Sequence, residues 1–93
     1  MSNEFEWNEV KAAENYAKHG VSFEMASLVF KDPFAIERFD NRQDYGEDRF
    51  ILIGMAEGTL LTVVYTERNG QIRIISARQA TKHEQDDYFL ENN

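Results

Sequence analysis

Cysteine is absent from the 93 residues, which removes disulfide stapling and thiolate chemistry together. Histidine occurs only at positions 19 and 83, in neither an HxxxH nor an HExxH spacing, so the chain lacks the ligands of a conventional zinc site. It also lacks a glycine-rich phosphate cradle and a GxSxG turn, which sets aside nucleotide-binding and serine-hydrolase chemistry. The opening MSNEFEWNEV is acidic and has no apolar core of the secretory kind, and no stretch approaches the roughly 18 apolar residues of a membrane helix. A cytoplasmic protein without membrane contact is expected. Basic residues are scarce, 10 against 17 acidic, for a formal charge of −7. General affinity for nucleic acid is opposed by that balance, because counterion release needs clustered Lys and Arg.

Apolar side chains are plentiful. They make up 42% of the chain, including seven Phe, four Tyr and one Trp, with a single proline at position 33, so one folded domain spanning 1–93 is expected. Asn8 as a cap, Glu9 in the first turn and Lys18-His19-Gly20 at the end predict a helix over 8–19, with Trp7, Val10, Ala13, Tyr16 and Ala17 as its apolar stripe. Ser22 and Glu24 open a second helix whose stripe is Phe23, Ala26, Val29 and Phe30, stopped by Asp32-Pro33. Residues 34–39 read as a strand and the following DNRQDYGED as a surface loop. Arg49–Met55, Thr59–Arg68 and Gln71–Arg78 are separated by Glu57-Gly58 and Asn69-Gly70, the signature of two tight hairpins. A last helix over 80–90 has Thr81 and Glu84 as a capping box. The class is α+β, with helices packed on an antiparallel sheet of about four strands.

Charge is distributed unevenly. Residues 49–78 carry four basic and two acidic side chains, whereas 1–48 and 79–93 are both net negative. With two-residue hairpin loops the register places Thr66 opposite Arg49 and Arg73, Val64 opposite Ile51 and Ile75, and Thr62 opposite Ile53 and Ala77. One sheet face then joins an apolar half to a row of Arg49, Thr66 and Arg73 with Arg68 diagonal to it. Cross-strand neighbours lie about 5 Å apart, so the cations of this row repel unless an anion sits among them, and the row reads as an oligoanion site. Alternatively, the arginine stems cover apolar surface and acidic neighbours from the 40–48 loop satisfy them. Cleavage of RNA by its own 2′-hydroxyl suits such a row, since it needs a base, an acid and cations but no cofactor or metal. Glu67, Tyr65, His19 and His83 are the titratable groups near in sequence, although alternation turns Glu67 and Tyr65 towards the helices.

Phe5-Glu6-Trp7, Lys18-HGVSF-Glu24, Val29-Phe30 with Asp32-Pro33, Gly46-Glu47-Asp48-Arg49, Tyr65-Thr66-Glu67-Arg68 and Ile72-RIISA-Arg78 occur in this order. Together they resemble the BrnT family of type II toxins over nearly the whole chain. The resemblance implies a RelE-like fold and an endoribonuclease that halts translation, acting on RNA free or on the ribosome. It also implies a BrnA-like antitoxin, through which the complex meets DNA, with a homodimer and an antitoxin heterotetramer both open. The basic positions it matches are Lys18, Arg49, Arg68, Arg73 and Arg78; taken with the titratable groups above, the candidate site residues are Arg49, Arg73, Glu67 and His19 for catalysis, and Lys18, Arg68, Arg78, Lys82 and His83 for RNA. Relatives continue basic after ISAR, whereas here QATKHEQDD leaves one lysine and one histidine, which weakens any hold on RNA. A second reading is a toxin-like binding protein without cleavage, whose groove would be Ile51, Ile53, Val64 and Ile75 if the last helix leaves them open.

Overall fold

Short polar side chains set the helix starts. In the computed structural model, which describes residues 4–42 and 46–93, Asn8 accepts from the Lys11 amide and opens α1 (Glu9–His19), and Ser22 accepts from the Met25 amide and opens α2 (Phe23–Ser27). Gly20, at a φ of 71°, closes α1 in the left-handed conformation. α2 tightens into a 3-10 turn, Leu28–Lys31, that ends at Asp32 before Pro33. Thr81 and Glu84 form the reciprocal capping box that opens α3 (Lys82–Glu91).

The strands are β1 (Phe5–Glu6), β2 (Ile36–Asp40), β3 (Arg49–Ala56), β4 (Thr59–Arg68) and β5 (Gln71–Gln79), in the order β1-β5-β4-β3-β2. The sheet therefore has five strands and is mixed, not four and antiparallel: β1 runs parallel to β5, with Phe5 beside Ile72 and Glu6 beside Arg73. A two-residue strand has no periodicity to read. Its pairing is fixed by tertiary contact, through the Ile72 amide donating to the Glu4 carbonyl at 2.7 Å. Both hairpins turn on residues with positive φ, Glu57-Gly58 and Asn69-Gly70, as their sequences predict. Asp40, expected in the loop, is instead the buried last residue of β2, and residues 43–45 of that loop lie outside the described residues.

Packing corrects the expected face of α1. Val10 and Tyr16 are well exposed, as are Ala13 and Ala17, while Ala12 and Asn15 turn inward. Asn15 is buried because β5 needs it: its amide donates to the carbonyls of Val21 (3.0 Å) and Ala77 (2.8 Å), and its oxygen accepts from the Ala77 amide (3.1 Å). α2 behaves as its pattern predicts, with Phe23, Ala26 and Val29 fully buried against Leu52, Leu61, Val63, Tyr65, Ile74 and Ala77. The 3-10 turn seats so closely on β3 that a Cβ at Gly54 would stand 2.8 Å from Val29 Cγ1.

On the other face a smaller cluster forms where Ala80 and Tyr88 of the C-terminal segment cover Ile36 and Ile53. The register explains what reaches it. Thr66 pairs with Arg73 and Tyr65 with Ile74, but a bulge then shifts the ladder so that Val64 pairs with Ser76 and Thr62 with Arg78. Ile75 and Ala77 are thus not opposite Val64 and Thr62 as simple alternation predicts. The extra residue sends Ala77 into the first core and turns Arg78 onto the α3 side.

Candidate anion-binding site

One line of side chains crosses all five strands on the α3 side. Asp40 is in register with Arg49, and one step past the Phe50–Tyr65 pair Arg49 comes opposite Thr66. Thr66 pairs with Arg73, and Arg73 lies beside Glu6. The order is carboxylate, guanidinium, hydroxyl, guanidinium, carboxylate. Arg49 Nε is 3.3 Å from Glu47 and Arg73 Nη1 is 3.6 Å from Glu6, both carboxylates being about one-third exposed at 36% and 32%. Thr66 is buried and donates its hydroxyl to the Asp48 carbonyl, which ties the line to the segment before β3. Asp40, whose side chain has no exposure, receives both Nε and Nη2 of Arg42 at 2.8 Å.

Arg78 joins this face one row further down and is held differently. Its guanidinium grips both oxygens of Glu84, at 2.8 and 2.9 Å, while the same carboxylate accepts from the Thr62 hydroxyl and the Thr81 amide at 2.8 Å each. The bond from Arg78 holds the Glu84 carboxyl down at about 2, against burial and with help from Thr81 and Thr62. Nearby, burial pushes the Asp32 carboxyl up, but donors from the Met55 amide, Tyr88 hydroxyl and Phe34 amide outweigh it and keep the group below its usual range. Burial and that bond to Asp32 raise the Tyr88 hydroxyl to about 12.

The structure gathers some of the candidate residues and separates others. Arg49, Arg73 and Arg78 share the face, and Arg68 lies two residues beyond Thr66 on β4, exposed and without an ion pair among the described residues. Glu67 alternates to the opposite face, where it neighbours Tyr65. Lys18 and His19 end α1, on the opposite side of the sheet. Lys82 and His83 point outward from α3, within reach of Asp86 (2.6 Å) and Asp87 (3.5 Å). Glu6 and Glu84 are the counter-ions that sequence reasoning passed over, whereas Glu47, paired with Arg49, comes from the 40–48 segment whose acids were expected to satisfy the arginines. Of these, Glu84 had a local signal, as half of a capping box, and serves both roles. The apolar groove of the second reading is covered only in part: Ala80 and Tyr88 pack on Ile53, which is 1% exposed, and Val64 is buried, while Ile51 and Ile75 are half-buried.

Fold and site together define a small α+β domain with an arginine-lined, carboxylate-countered sheet face. A family model described as the ribonuclease toxin, BrnT, of type II toxin-antitoxin systems matches residues 7–84. The chain belongs to this family, and a toxin of this kind has an antitoxin as its partner. The match stops within α3, before Asp87, Tyr88 and Glu91. No curated protein matches the chain significantly.

Proposed function

We propose that the chain is an endoribonuclease toxin that cuts RNA in the cytoplasm to halt translation, on a RelE-like fold, and is neutralised by a BrnA-like antitoxin. The observation that carries this reading is the pair Arg49 and Arg73 flanking Thr66 on one sheet face. Attack of a 2′-hydroxyl on the adjacent phosphorus, its proton going to a base or water while the P–O5′ bond breaks and the 5′-oxygen leaves protonated, gives a cyclic phosphate through a transition state with added negative charge on the non-bridging oxygens. Two guanidiniums from the strands on either side of β4 oppose that charge without a metal ion, donating in planar forks that suit phosphate. Their present partners, Glu6 and Glu47, are acids about one-third exposed, of the sort a phosphate can displace at modest cost. Arg78 is clamped by Glu84 and frames the site, and exposed Arg68 extends its reach along the RNA backbone.

The paired state of each arginine in the row favours a second reading in one respect: a phosphate must compete with carboxylates already in place, which lowers activity. The experiment is expression of the chain followed by mapping of RNA 5′ ends. New ends are expected from the wild type and none from the Arg49→Ala/Arg73→Ala variant, which should retain its circular dichroism spectrum. Equal cleavage by that variant sinks the proposal; a wild type that gives neither new ends nor growth arrest selects the non-cleaving binder, and growth arrest without new ends points to neither.

A further inference from the structure

The opposite face of the same sheet end carries a different chemistry. Phe39 of β2 meets Phe50 of β3 edge-on with centroids 5.8 Å apart, and Phe50 meets Tyr65 at 5.4 Å. Tyr65 meets Phe30 of the 3-10 turn at 4.9 Å, and Phe30 meets Phe5 of β1 at 5.2 Å. This row spans the sheet from one edge strand to the other. At its buried centre Tyr65 is 5% exposed, whereas at its β2 end Phe39 is 55% exposed. Carboxylates border the rings. Glu37 accepts a hydrogen bond from the Tyr65 hydroxyl, and Glu67 follows Tyr65 by two residues on the same face. Burial, the Glu37 bond and the Glu67 charge all push the Tyr65 hydroxyl up, so it stays protonated as the donor to Glu37.

Charge compensation distinguishes the two faces. Among the described residues the strands hold four acidic side chains. Glu6 and Asp40, on the arginine face, each have an arginine. Glu37 and Glu67, on the aromatic face, pair with no Lys or Arg among the described residues. Aromatic faces attract cations, and carboxylates on both sides add to that attraction while repelling phosphate. The surface is an open apron, so it suits a side chain presented by a larger partner, held by several contacts at once, better than a free small amine.

We propose that this face docks the antitoxin, through a segment that lays an Arg or Lys over Phe39 and Phe50 between Glu37 and Glu67 and sets an apolar side chain beside it. The inference rests on the reading that the chain's partner is a protein antitoxin, and it assigns polyanion and partner to opposite faces of one sheet. The protein encoded by the reading frame adjacent to this chain's own is the probe, titrated calorimetrically into the intact chain at two salt concentrations. Phe39→Ala and Glu67→Lys should each weaken binding by about tenfold or more, and Glu67→Lys should also flatten the salt dependence. Both positions are exposed, so unfolding midpoints should stay near the wild type. Arg49→Ala/Arg73→Ala should bind as the wild type does. Unchanged affinity in both aromatic-face variants, loss confined to the arginine-face variant, or no binding to the wild type overturns the proposal. RNA cleavage is scored separately and should be unaltered in Phe39→Ala. A wild-type chain that binds through Phe39 yet cuts no RNA refutes the nuclease reading and leaves the docking face standing.

Discussion

The two clusters of buried side chains lie on opposite faces of one sheet and are sealed by different means. Beneath α1 and α2 the seal is mostly apolar, with Phe23, Ala26, Val29 and Val63 at zero exposure and one fully satisfied polar group, Asn15. Beneath α3 the apolar contact is small and is ringed by polar clasps: Arg78 to Glu84, Tyr88 to Asp32, and Arg38 to Asp87 and Glu91. Dry packing makes the first face insensitive to pH and salt. Charge makes the second responsive to both, and it is the second face that carries the arginine row.

Variants should separate these regimes. The largest effect is expected from Asn15→Ala, which leaves two buried carbonyls and one amide without partners and costs about 3 kcal/mol or more, read from urea unfolding. It should also loosen the β5 bulge, seen as faster hydrogen exchange at Ala77. A smaller loss, roughly 1–3 kcal/mol, is expected from Glu84→Gln, which leaves Arg78 half-buried without its counter-ion. Because Glu84 titrates lower in the folded chain than its ordinary 4.5, its stabilisation is present above that pH and is lost as pH falls towards about 2. The wild type should therefore weaken across that window in acid melts while Glu84→Gln changes less. The smallest effect is expected from Arg38→Ala, below about 1 kcal/mol and shrinking with salt, since its guanidinium is 41% exposed. A loss at Arg38 matching that at Asn15 would erase the distinction between the faces.

Much of the fold was legible because its signals are local. Asn8, Ser22 and Thr81 cap the helices their sequences announce, and the two hairpin turns sit where Glu57-Gly58 and Asn69-Gly70 require. What stayed hidden depends on contacts between distant segments. Nothing in Ile74-Ile75-Ser76 marks a bulge, and just past it Ala77 is held by Asn15 on another element, 62 positions away in sequence. The same asparagine explains why α1 misled: a polar residue faces the core while Val10 and Tyr16 face water, inverting the usual assignment. Arg49 and Arg73 could be placed on either side of Thr66 from turn geometry alone. Of their counter-ions, Glu47 falls in the 40–48 segment whose acids the sequence offers as partners, whereas Glu6 arrives on a strand too short to be seen.

β1 brings the start of the chain to within one side chain of Arg73. Any affinity handle or reporter fused ahead of Phe5 is therefore tethered at the border of the cationic row, where a string of histidines or an acidic epitope would alter the local field. Assays of nucleic-acid binding on such fusions would report the handle together with the protein, and an appendage after Glu91, at the far end of α3, is the better choice.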